Sequence, residues 1–202
     1  MKLWLDRPDI NGSLDNFLQH VASVVQLGTI RKFLRFPLGY QELNIKLETS
    51  KGVYVVKIFS KEKSLPRVKE NIQGHLEFSK LGVPMPRLRV TKNHESVLIT
   101  KGEHQEVYSC VMEYFEGKSF LNLPITKRDV MKITRFMASM HQSKFKPTHY
   151  YDTLGIVNFR HIYDQQAHVL PVQEKNEIKR TLAEFQQTNL AKFRQSVIHG
   201  TL

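Results

Sequence analysis

A chain of 202 residues, 41% hydrophobic and 24% charged, can bury roughly 70% of the surface of its unfolded form, which is enough for one ordinary domain or two small lobes. That balance excludes disordered, collagen-like and low-complexity classes. Thirty Lys and Arg against nineteen Asp and Glu give a net charge of +11, which attracts phosphate-bearing partners and repels polycations.

The single cysteine, Cys110, excludes an internal disulfide framework and a cysteine-cluster metal site, and fits a reducing cytoplasm. Asp6, Arg7, Pro8 and Asp9 interrupt the stretch where a signal peptide would be apolar. Apolar runs such as residues 21–27 fall far short of the roughly 18 residues that a membrane span requires, so a cytoplasmic protein with no membrane partner is expected. The basic residues stand singly or in pairs, as in Arg31-Lys32 and Lys127-Arg128, and apolar or acidic residues interrupt them. A nucleic-acid binder would collect them on one face.

In chain order, Leu14, Phe17, Leu18, Val21, Val24 and Val25 recur at helical spacing, with Ser13 as N-cap and Gly28 beyond the end, which predicts a helix over 14–27. The period then changes. Residues 44–49 alternate, Ser50-Lys51-Gly52 is turn chemistry, and 53–59 are β-branched and aromatic, which predicts a β-hairpin. Val68 to Leu81 reads as a helix closed by Gly82 ahead of Pro84 and Pro86. Residues 96–100 and 107–115 flank a polar segment and form a second hairpin.

This β-β-α-β-β order predicts an α+β fold with an antiparallel sheet. Helices dominate after the linker 117–124, so the expected lobes are 1–116 and 117–202. Thr126-Lys-Arg-Asp129 matches a capping box, and Val130, Ile133, Met137 and Met140 then mark a core-facing stripe that ends near His141. Residues 144–172 show no clear period, and 173–195 recover a helical pattern through Ile178, Leu182 and Phe185.

None of the nine histidines stands in an H-x-x-x-H arrangement, so no metal residue is predicted from the pattern. A G-x-S-x-G elbow and a Walker loop are both absent. The informative residue is Lys57. In a strand of period two it shares a face with Val55 and Phe59, and a lysine on an apolar face calls for an anion. A nucleotide phosphate together with a helix carboxylate such as Glu70 meets that need; a lysine on a solvated edge strand is the plainer alternative.

Five segments in order then resemble one family, the aminoglycoside phosphotransferase and choline kinase-like phosphotransferases. Residues 39–59 resemble its first hairpin. Leu81-Gly-Val-Pro-Met-Pro86 resembles the exit from its N-lobe helix, and residues 111–117 its inter-lobe hinge. Met137-Ala-Ser-Met-His141 resembles the end of its first C-lobe helix, and Val197-Ile-His-Gly200 the start of its catalytic loop. The likeness is strongest to the homoserine-kinase-like branch.

The resemblance implies a protein-kinase-like two-lobe fold that binds ATP with Mg²⁺ and phosphorylates a small hydroxyl-bearing acceptor. Lys57 would then contact the α- and β-phosphates, and Glu70 would hold Lys57. The turn from Gly39 to Asn44 would cover the phosphates, and backbone groups of Glu113, Tyr114 and Phe115 would meet adenine. The family spacing leaves the helix carboxylate uncertain by one position, since it would land on Asn71. At His199, Gly200 and Thr201 the chain departs from the family's H-G-D, because a neutral threonine stands where the catalytic Asp belongs and the metal-binding residues have no counterpart.

A C-terminally truncated phosphotransferase, inactive alone, is therefore the expectation, with apolar faces around Met137 and Leu182 left for a second chain or for self-association. The alternatives are a non-catalytic nucleotide-binding or interaction module and a basic nucleic-acid binder. The charge of +11 disfavours polycationic antibiotics as acceptors, and favours a neutral or zwitterionic one.

Overall fold

The computed structural model describes residues 9–36, 42–117, 120, 123–148, 159–188 and 192. The chain divides into two compact units, Met1–Phe145 and Lys146–Leu202. The division falls later than the expected boundary at 116, so the helix expected to open the second lobe groups with the first unit. Phe145, just beyond that helix, meets the Phe78 ring edge to face at 6.3 Å and lies against Gly74, where a Cβ would come within 3.0 Å of it.

The first unit is an antiparallel six-stranded sheet with a helix on each face. Helix α1, Leu14–Val24, begins at Ser13, whose hydroxyl accepts from the Asn16 N–H as the sequence predicted. It ends earlier than expected. Gln26, at φ 58°, takes the left-handed cap position, and the Leu27 N–H closes on the Ala22 carbonyl. Gly28, also left-handed at φ 83°, turns the chain into β1, Ile30–Arg35.

Strands β2, Leu43–Thr49, and β3, Gly52–Ile58, form the predicted hairpin, with Asn44 opposite Lys57 and Thr49 opposite Gly52. Helix α2, Leu65–Lys80, follows and stops at Gly82, φ 77°, as predicted. Strand β4, Leu88–Arg89, precedes the second hairpin, β5, Leu98–Lys101, and β6, Glu106–Glu113. The order is β1-β2-β3-β6-β4, with β5 also paired to β6. Strands β1 and β4 were not separated in the sequence, because β1 alternates poorly and β4 has only two residues.

Period-two alternation sorts the sheet residues between two cores. Ile45, Leu47, Tyr54, Val56, Ile58, Val107 and Val111 pack with Phe17, Leu18 and Val21 of α1. On the other face Phe59, Leu88 and Cys110 pack with Val68 and Ile72 of α2.

Helix α3, Lys127–His141, forms the predicted capping box, in which the Thr126 hydroxyl accepts from the Asp129 N–H and the Asp129 carboxylate accepts from the Thr126 N–H. Its apolar stripe differs from expectation. No residue of α3 is fully buried, and Val130 and Met131 are about half exposed, at 52% and 49%.

The second unit holds α4, Phe159–Gln166, a short 3₁₀ turn, Ala167–Val169, and α5, Val172–Gln186. Among its described residues Tyr163 and Leu182 are buried, and the Tyr163 hydroxyl donates to the Lys175 carbonyl at 3.2 Å. Leu182, expected to be uncovered, is therefore in the core of its unit. No described helix is long and apolar enough to cross a membrane.

Candidate functional site

The sheet face that meets α2 carries the polar stripe of β2. Leu43, Ile45, Leu47 and Thr49 point into the α1 core, so Asn44, Lys46 and Glu48 stand on the opposite face, and Glu42, one step before the strand, shares their side. Lys57 of β3 lies directly across from Asn44, and Cys110 of β6 lies across from Lys57 on the other flank. The side chain of Lys57 is 32% exposed and shares its face with Phe59 as the period predicts, but that face carries the polar stripe of β2 and is not the apolar face expected.

The ammonium of Lys57 is 3.9 Å from a carboxylate oxygen of Glu42. That partner follows from register, because on one face of an antiparallel pair a residue reaches the diagonal neighbour two positions along the facing strand. The other oxygen of Glu42 accepts from Lys63 in the loop between β3 and α2. Both ammonium groups lie near the face of Phe59, 5.6 Å and 5.8 Å from its centroid. Two lysines, one glutamate and one aromatic ring thus form a single half-buried cluster.

Glu70, the expected partner of Lys57, is half-buried on α2 and has a contact of its own. It stands two residues from both Val68 and Ile72, so it is roughly 160° around the helix from the stripe that meets the sheet. Counting from that stripe, residues 71 and 75 face the sheet. Asn71 is where the family spacing pointed, and it bears no charge. His75 is half-buried and bonded to the Pro86 carbonyl at 2.6 Å. Burial, reinforced by the charge of Lys57, holds this imidazole below its ordinary value against the pull of that carbonyl.

The hinge segment is tied into the sheet. The Glu113 N–H donates to the Arg87 carbonyl at 2.9 Å, and the Tyr114 N–H to the Val53 carbonyl at 3.2 Å. Of the three residues whose backbone groups were expected to meet a base, only Phe115 has an N–H that donates to no backbone carbonyl among the described residues. The Tyr114 ring stacks on Phe36 at 6.4 Å and 14°, with the Lys46 ammonium 4.6 Å from its centroid. Gly39, His199, Gly200 and Thr201 lie outside the described residues.

Among the described residues one group of three metal-ligating side chains comes together, Asp9, Glu103 and His104. It is built on the β5–β6 turn and not beside Lys57. The Asp9 carboxylate there already accepts from the backbone N–H groups of His104 and Gln105 and pairs with the His104 ring. Among the described residues, no group of three metal-ligating side chains includes Glu42, the carboxylate at Lys57.

The profile of the phosphotransferase enzyme family, APH, matches residues 32–201. The chain belongs to this family. Its fold is shared with solved structures of low sequence identity. An amicoumacin kinase in complex with AMP-PNP, Ca²⁺ and Ami superposes with a TM-score of 0.62 at 13% identity, covering 92% of this chain and 55% of that one. The aminoglycoside phosphotransferase APH(4)-Ia gives 0.58 at 12% identity, covering 92% and 62%. Spectinomycin phosphotransferase APH(9)-Ia, in complex with ADP and spectinomycin, gives 0.53 at 9% identity, covering 86% and 60%. The chain thus spans between 55% and 62% of the length of these three structures. No curated protein sequence matches it significantly. At such identities the shared property is the protein-kinase-like fold.

The sequence reading missed Glu42, Lys63 and Phe36. Register alone could have found Glu42, two residues before Asn44 on its face. Lys63 sits in a loop that carries no periodic signal.

Proposed function

We propose that this phosphotransferase-family chain binds ATP through its β-rich unit, in the service of phosphoryl transfer to a small hydroxyl-bearing acceptor. The observation that carries the reading is Lys57, a cation held on a half-buried sheet face by a carboxylate, in a chain that the family profile covers from 32 to 201. Phosphoryl transfer depends mainly on positioning and charge neutralisation, and a fixed ammonium beside the α- and β-phosphates supplies both. In this reading Glu42 takes over the anchoring role expected of Glu70. The segment from Gly39 to Asn44, whose last residue stands in β2 opposite Lys57 and not in a turn, covers the phosphates, and the base meets the segment Glu113–Phe115 through the Phe115 N–H. A divalent ion such as Mg²⁺, when bound, would neutralise phosphate charge; no described residue beside Lys57 forms its ligand set, and no step is derived through it.

His199, Gly200 and Thr201 stand at the start of the family's catalytic loop. A threonine hydroxyl cannot take the acceptor's proton near neutral pH, so we assign nucleotide binding without turnover to these 202 residues. A second chain, or a second copy of this one, that brings a carboxylate to that point would restore transfer. The acceptor we favour is neutral or zwitterionic, in keeping with the charge of +11.

The test is the thermal unfolding of the chain with and without Mg-ATP. A stabilisation that grows with nucleotide concentration and vanishes in Lys57→Ala supports the reading. A wild-type chain indifferent to millimolar Mg-ATP overturns it.

A further inference from the structure

Lys63 is not a residue that the family resemblance singled out, yet the fold delivers it to the same carboxylate as Lys57. Lys57 arrives from the end of β3 and Lys63 from the loop that leads into α2, where its N–H donates to the Ser60 carbonyl at 3.0 Å and fixes the local turn. Their side chains are 32% and 13% exposed, and that of Glu42 between them 14%. Both stems approach Phe59, which is itself buried.

The charge count is unequal. Among the ion pairs of the described residues, two ammonium groups share the Glu42 carboxylate, which leaves one positive charge in a cluster partly withdrawn from water, where unbalanced charge is costly. A further anion would balance it. The shared carboxylate also keeps the two cations close together, within reach of neighbouring phosphates of one polyphosphate chain.

We infer that Lys63 is a second phosphate-binding cation, acting with Lys57 on adjacent phosphates of the nucleotide. The inference rests on the nucleotide reading proposed above and deepens it. Lys63 touches the phosphates only, so its contribution depends on how many phosphates the ligand carries. A purely structural lysine would weaken all ligands alike, or none.

The experiment is isothermal titration of the full chain with ATP, with adenosine and with inorganic tripolyphosphate, on wild type, Lys57→Ala, Lys63→Gln and Lys63→Arg. Removing one charge-assisted contact predicts that Lys63→Gln weakens ATP and tripolyphosphate by about tenfold or more and leaves adenosine unchanged, with Lys63→Arg recovering most of the loss. Circular dichroism confirms that each variant is folded. If wild type binds ATP and Lys57→Ala loses it while Lys63→Gln matches wild type, the role of Lys63 is overturned and the nucleotide reading stands. If wild type binds neither ATP nor tripolyphosphate, both fall.

Discussion

Replacing Lys57 by Met separates what the lysine does for the fold from what it does for the ligand. In the structure its ammonium is 3.9 Å from Glu42, a gross attraction of about 4 kcal/mol at an effective dielectric near 20. Desolvation and the ordering of two long side chains offset most of this, so the net contribution of so partly exposed a pair is about 1 kcal/mol or less. Glu42 keeps Lys63 as a partner in the variant, so no carboxylate is left bare. The methionine stem still covers Phe59 and Cys110. Lys57→Met should therefore change the unfolding free energy by no more than about 1 kcal/mol.

The ligand effect is larger. A charge-assisted bond to phosphate is worth about 1.5–3 kcal/mol, so ATP affinity should fall roughly 10- to 150-fold. Urea unfolding monitored by circular dichroism measures the first quantity, and isothermal titration measures the second. A variant that loses more than about 3 kcal/mol of stability would show that the pair is structural, contrary to the small net worth of partly exposed ion pairs. A variant with normal stability and undiminished ATP affinity would refute the phosphate role of Lys57.

Other consequences can be checked as directly. The Thr49 hydroxyl, in a residue only 5% exposed, donates to the Leu27 carbonyl at 2.6 Å and accepts from the Lys51 N–H, joining α1's exit to the first hairpin; Thr49→Val keeps the shape and should cost about 1–3 kcal/mol in urea unfolding. The Cys110 thiol is pushed up to about 12 by burial, against the opposing charge of Lys57, so it should resist alkylation at pH 8 in the native chain and react fully in denaturant. At the β5–β6 turn, the His104 N–H groups hold the Asp9 carboxylate below its usual 3.8, and Asp9 holds the His104 ring above its usual 6.5. The Asp9 contribution is present above pH 3.8 and lost as pH falls through its lowered value; the His104 contribution is present below pH 6.5 and lost as pH rises through its raised value. Stability should therefore be greater at pH 5 than at either flank, by an amount that Asp9→Asn removes, as unfolding midpoints across that range would show.

Local chemistry explains why so much of the fold was legible. Ser13 and the Thr126–Asp129 box cap their helices with bonds that span only three residues, and Gly82 supplies a backbone angle that other residue types could not adopt cheaply. The first hairpin was readable because Ser50-Lys51-Gly52 permits a turn and Leu43 to Ile58 alternates on both sides of it. The period also put Lys57 on the correct face. Where the reading departed from the structure, the deciding contacts were distant in sequence. Helix α3 looked like core from its stripe, yet an apolar stripe says only that a helix could be covered, not that anything covers it. Phe145, the last residue of the first unit, reaches back about 70 residues to Phe78 and Gly74.

Residue order by itself determined the α+β class, the capped starts of α1 and α3, the two hairpins, the family and the face on which Lys57 stands, because periodicity, caps and turns act over a few residues. Tertiary structure decided that a carboxylate and a second lysine close on that residue together. Strand register brings Glu42 diagonally across to Lys57, and a loop without any periodic pattern swings Lys63 in beside it. Ion pairs depend on where side chains end in space, and that is the product of every rotation along the chain and not of any one segment.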